Sequence, residues 1–141
     1  MSKSNDSVAL AGRILIGLLF FVSGLSKIAA PAATKGYIAA VGLPLPDVSY
    51  FGSLSVEVLG SLLLIIGFWV RPVAVGMALF TLATALVFHK NFADQNQMIH
   101  FLKNIAIIGG LLQVAAFGGG KFSLDARRTR RAPITQASVA A

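Results

Sequence analysis

The chain contains no cysteine. Disulfides, thiolate metal sites, CxxC redox pairs and cysteine-ligated iron–sulfur clusters are therefore excluded for this chain, as is any thiol intermediate on it. It is also poor in charge: 12% of its residues are Asp, Glu, Lys or Arg, and only five are acidic. That is too little polar sequence to coat a soluble core of this size. With 56% hydrophobic residues in 141, the composition is that of a single membrane domain. A net charge of +7 raises the question of nucleic acid. The basic residues, however, lie between and beyond long apolar runs, with a cluster at the C-terminus. This is the pattern of topology signals and of contact with anionic lipid, so no nucleic-acid partner is expected.

With acids so scarce, one stands out. Val48 to Val70 is long enough to cross a bilayer, for which about twenty apolar residues suffice, and Glu57 sits in its middle. A carboxylate inside a span needs a partner charge, a proton or water. Ser53, Gly60, Ser61 and Gly67 join Glu57 at helical spacing as one small, polar face. Small residues let a second backbone approach, so this face is expected to turn into a bundle and the aliphatic side to lipid.

Three further spans are predicted: Val8 to Ile28, Pro72 to His89 and Ile99 to Phe117. In the first, Arg13, Gly17, Phe20, Gly24 and Lys27 share one helix face. A signal peptide with a small-residue cleavage region at Ala29–Ala33 is the rival reading of this segment, and ranks second because Lys27 interrupts it. Pro31 is expected to open a short helix through Tyr37, Ile38 and Val41, as a cap over the bundle or a plain connector. Gly42 to Pro46 then forces a turn, and Arg71–Pro72 a second, tight one. Thr81 and Thr84 can bond back to helix carbonyls. Lys90 to Met98 reads as a polar loop. Residues 1–7 are expected to be frayed. The membrane domain covers 1–125, and 126–141, with Arg127, Arg128, Arg130 and Arg131, reads as a basic disordered tail that contacts anionic lipids.

The fold class that follows is all-α, a four-helix transmembrane bundle. Four spans place both termini on one side with Arg13, Arg71, Lys121 and the arginine cluster, against Lys27, Lys35, Lys90 and Lys103 on the other. Both termini are therefore expected to be cytoplasmic. The outer half of the bundle then receives Lys27, Glu57, His89, His100, Lys103 and Asn104 from four different spans. Each has a bland reading: the lysines snorkel, the histidines are interfacial, Asn104 bonds between helices, and Arg13 is a topology charge. Two histidines could ligate a haem or a metal, but no carboxylate or thiolate accompanies them at a ligand spacing. Haem is disfavoured and no metal site is expected. Lys103 and Lys27 are the candidate bases for Glu57. A small cavity with an acid, bases and apolar walls suits a quinone headgroup, and suits a proton-coupled transporter or a structural ion-pair lock equally well.

The order and spacing of several short motifs carry a resemblance. They are Arg13…Gly17…Phe20…Gly24…Lys27, Gly42-Leu43-Pro44, Glu57-Val58-Leu59-Gly60 with Gly67, and Arg71. Phe88-His89, Phe101-Leu102-Lys103-Asn104, Gly109-Gly110 and Gly118 to Asp125 complete the set. From Gly12 to Asp125 the chain resembles the DoxX family of small integral membrane proteins. The resemblance implies a four-helix, multi-pass protein of the bacterial inner membrane. Some members belong to membrane redox systems, including thiosulfate:quinone oxidoreductases, and distant relatives act as assembly factors. The expected function is a quinone-linked redox subunit, with Glu57 handling a proton and His89, Lys103, Asn104 and Lys27 contacting the cofactor. The alternatives are a non-enzymatic scaffold or assembly factor and a small-molecule transporter. A protein partner or a homo-oligomer is expected in each case.

Overall fold

A computed structural model describes residues 3–131. They form six helices: α1 (Lys3–Ala29), α2 (Pro31–Ala40), α3 (Pro46–Ile66), α4 (Val70–Phe88), α5 (Gln95–Phe117) and α6 (Leu124–Arg131). Four of them, α1, α3, α4 and α5, are long and apolar enough to cross a membrane. The all-α, four-span expectation therefore holds among the described residues. Helix α3 is not uniform. Its middle turn, Ser55–Gly60, is π-helical, and it carries Glu57.

The α1 face read from spacing is the one that packs. Arg13, Gly17, Phe20 and Gly24 are buried and Lys27 is half-buried, while Leu15, Leu18, Val22 and Leu25 are exposed to the lipid side. Glycine is needed at two of these positions. A Cβ on Gly17 would run into Ile65, and one on Gly24 into Val58, so α1 and α3 meet nearly backbone to backbone. Phe20 joins Leu64, Val70, Ala74, Met77, Ala78 and Leu111 in a core shared by all four spans. Thr81 and Thr84 bond back to the carbonyls of Met77 and Thr81, at 2.7 and 2.8 Å. Helices α4 and α5 form a closely packed hairpin, and Leu111 is the one fully covered residue described in α5.

The connections differ from the sequence reading in instructive places. Helix α5 begins a full turn before Ile99, because the Asp94 carboxylate accepts the backbone N–H groups of Asn96 and Gln97 and so caps it. The tight turn lies at Gly67–Trp69 rather than at Arg71–Pro72: Gly67 and Trp69 take positive φ of 78° and 49°, and Arg71 and Pro72 are already helical. Helix α2 is a cap and not a plain connector. Ile38 is buried, Tyr37 stacks on Phe88 of α4 at 5.3 Å, and Lys35 pairs with Asp47 at the start of α3.

Both chain ends also depart from expectation. Residues from Lys3 onward are helical rather than frayed, and Asp6 is buried. The tail expected to be disordered from 126 begins as helix, through Arg131. The remainder of that expectation, 132–141, lies outside the described residues.

Candidate functional site

At the end of α1, the Lys27 ammonium donates to both carboxylate oxygens of Glu57, at 2.7 Å each. Ser23, one turn earlier, joins them. Its hydroxyl donates to Glu57 Oε1 at 3.3 Å and accepts from Lys27 Nζ at 3.1 Å. The Tyr50 hydroxyl donates to the Lys27 carbonyl at 3.1 Å and so ties the last turn of α1 to α3. The Glu57 side chain is only 6% exposed, and that of Lys27 is 25%. Of the two candidate bases, Lys27 is therefore the partner. Lys103 is exposed and lies 3.1 Å from His100 Nδ1 instead. A π-turn is a recurrent feature of functional sites, and this one places the carboxylate.

Ser23, Lys27, Glu57 and Lys103 line an open cavity of about 850 Å³ between α1, α2, α3, α4 and α5. Of the six residues gathered from sequence, Lys27, Glu57, His89, Lys103 and Asn104 line it, and His100 does not. Its remaining wall is largely apolar and aromatic, with Phe20, Phe80, Tyr37, Phe88 and Ile107, and Thr84 supplies a hydroxyl. The volume falls in the range of roughly 300–1,000 Å³ usual for small-molecule sites. The two histidines sit together at the α4–α5 end of this space. Their rings stack at 5.1 Å, and His89 Nδ1 lies 2.9 Å from Gln97 Oε1. Among the described residues no group of three or more His, Cys, Asp or Glu side chains could hold a metal ion. Chemically, the cavity offers one carboxylate already paired with an ammonium, a second ammonium, an amide and hydroxyls, against an apolar wall.

The opposite end of the bundle holds a second polar centre, which the sequence reading took for a topology charge. Arg13 is fully buried. Its Nη1 donates to the carbonyls of Leu64 and Ile65, at 3.0 and 3.3 Å, and its Nη2 to that of Phe122 at 2.8 Å. A cation thus closes the C-terminal turn of α3 and holds the segment that follows α5. Asp6 accepts the Lys121 backbone N–H at 3.1 Å and pairs with its ammonium at 3.3 Å. Asp125 accepts the N–H groups of Trp69 and Val70, at 2.9 Å each, and so caps α4 from 55 residues away. Arg13 stood on the same face as Gly17, Gly24 and Lys27, and that was the signal available for its burial. Nothing local marked Asp6, and Asp125 entered the sequence reading only as the end of the Gly118–Asp125 motif, with no role given to it; the partners of both come from distant segments.

Comparison with known proteins fits this architecture. Residues 8–90 match the DoxX family model. Inner membrane protein YqjF of Escherichia coli (strain K12) is 40% identical over 128 residues, covering 89% of this chain and 95% of that protein. Inner membrane protein YphA of the same organism is 35% identical over 123 residues, covering 84% and 88%. A protein of Bacillus subtilis (strain 168) named "Putative oxidoreductase CatD" is 33% identical over 87 residues, covering 62% of this chain and 63% of its own length. No solved structure gives a significant match. With its four candidate spans, the chain is a multi-pass inner-membrane protein, and it belongs to the DoxX family.

Proposed function

We propose that the cavity receives the headgroup of a quinone and that the protein serves as the membrane subunit of a quinone-linked redox system. The observation that carries this reading is the Lys27–Glu57 pair set into the wall of an apolar and aromatic cavity of about 850 Å³. A quinone headgroup is flat and apolar with carbonyl oxygens at its edge. It fits walls such as Phe20, Phe80 and Ile107, and donors such as Lys103, Asn104 and Thr84. When bound, a quinone supplies exchange of electrons coupled to protons. The chain's own part is to bind and to manage charge. Lys103 and Asn104 donate to the ligand. Glu57 holds or releases a proton at its carboxylate, whose hydrogen-bond partners are the Lys27 ammonium and the Ser23 hydroxyl. With no cysteine in the chain to form a thiol intermediate, the redox chemistry is supplied by the quinone or by a partner subunit. The oxidoreductase name of CatD supports the same class of function.

The test is to purify the protein in mild detergent and extract and quantify bound quinone by mass spectrometry. Copurification above the background of the total lipid is expected, with at least a five-fold loss in Lys103→Ala/Asn104→Ala. No enrichment over background would overturn the reading. A second reading, a scaffold that holds a partner complex, is favoured by one observation: the Lys27–Glu57 pair also locks α1 to α3. On that reading a folded Glu57→Gln protein keeps its partner and loses nothing else. On the redox reading it folds and loses quinone-linked turnover.

A further inference from the structure

At the end of the bundle that carries both termini, a groove of about 400 Å³ runs between α1, the end of α3 and the start of α6. Leu10, Ile66, Phe122 and Leu124 form its walls together with Ser123, and Arg127 stands at its edge. Along α6, Leu124, Arg127 and Arg128 recur at helical spacing and share one face, while Ala126, Thr129 and Arg130 take the other. Arg128 lies 5.1 Å from the Phe68 ring, two residues after Ile66 of the groove.

The acids in reach are already engaged. Asp125 is held by the N–H groups at the start of α4, and Asp6 by Lys121. Among the described residues, neither Arg127 nor Arg128 forms an ion pair with a carboxylate. Trp69 and Phe122 lie just beyond the ends of α3 and α5 and are 61% and 52% exposed, and aromatic side chains beyond the ends of spans favour the headgroup level. A ligand that answers all of this carries a negative group for the guanidinium groups and an apolar tail for the groove.

We propose that this groove binds one anionic phospholipid. Its phosphodiester is held by Arg127 and Arg128, and an acyl chain lies against Leu10, Ile66 and Phe122. This makes the basic helix a discrete lipid site rather than a diffuse contact of the tail, and it is independent of the cavity at the other end. The geometry separates it from a free-anion site, since inorganic phosphate would use the arginines and leave the apolar walls bare.

The experiment uses the full chain, delipidated in mild detergent, titrated with phosphatidylglycerol or phosphatidylcholine and read by native mass spectrometry. A single phosphatidylglycerol adduct is expected, in at least five-fold preference to phosphatidylcholine and not displaced by millimolar inorganic phosphate. Arg127→Gln/Arg128→Gln and Leu10→Trp, which fills the groove without changing charge, should each lower the bound fraction at least five-fold. Arg130→Gln should leave it unchanged. Equal adducts with both lipids, displacement by phosphate, or an adduct that survives Leu10→Trp would overturn the proposal. If the double arginine variant fails to fold, Leu10→Trp and the headgroup preference of the unaltered chain decide.

Discussion

The Lys27–Glu57 pair permits a sharp test at the scale of single residues. Glu57→Ala leaves an ammonium facing a cavity with no counter-charge, and removing one partner of a buried pair costs about 3–5 kcal/mol. Lys27 is a quarter exposed, so the lower end of that range is expected. Adding Lys27→Met should recover part of the loss, whereas adding Lys103→Ala should be additive. Thermal midpoints of the singles and doubles in detergent check this, and coupling to Lys103 in place of Lys27 would refute it. Arg13→Met removes three hydrogen bonds and strands three carbonyls, so its midpoint should fall further than that of Lys103→Ala. Lys27, Glu57, His89, Lys103 and Asn104 were legible in sequence because an ionisable or strongly polar side chain in an apolar span is conspicuous and its depth can be counted from the span's end. Which base meets Glu57 was not legible. Lys27 and Lys103 lie at similar depths, and the choice depends on the rotation of α1 against α3, which Gly17, Gly24 and the π-turn set together.

Among the elements, the caps separate what is local from what is not. Asp94 sits next to the helix it starts, and its effect on α5 could have been read from the Asp94–Gln97 stretch. Asp125 caps α4 across the whole intervening hairpin, and no local pattern announces that. Asp125→Ala should cost about 0.5–2 kcal/mol, the usual worth of such a cap, read as a lower thermal midpoint. Truncation after Asp125 keeps the cap. Insertion and helicity should therefore survive it while the phospholipid adduct is lost. A truncated chain that no longer accumulates would show that α6 itself holds the bundle together. The π-turn in α3 had no sequence signature, since Ser55–Gly60 is ordinary helix-compatible sequence.

For the whole molecule, the four spans and their closeness at the terminal end are built into hydropathy and helical spacing, and the bundle follows from them. Orientation in the membrane rests on charge alone. Arg13, Arg71, Lys121 and the α6 arginines gather at one end, so a reporter fused after Ala141 should read cytoplasmic and one inserted near Gln95 external. The reverse pair of readings would invert the molecule. The polar centres divide along the same axis: an ion pair with an adjoining cavity at one end, and a closed hydrogen-bonded clasp with a basic helix at the other.

The clasp has a consequence in time. One of the acceptors of Arg13, the Phe122 carbonyl, leaves the ribosome 109 residues behind it. At synthesis rates of about 5–20 residues per second, that acceptor arrives about 5–20 s later. Throughout that interval α1 lies in the bilayer with its guanidinium only partly answered, by the end of α3 at best. The bundle is completed by a segment made after all four spans. A nascent chain arrested at Phe117 therefore has every span it needs and still cannot close, and it should be cleared by membrane proteolysis while a chain reaching Asp125 persists.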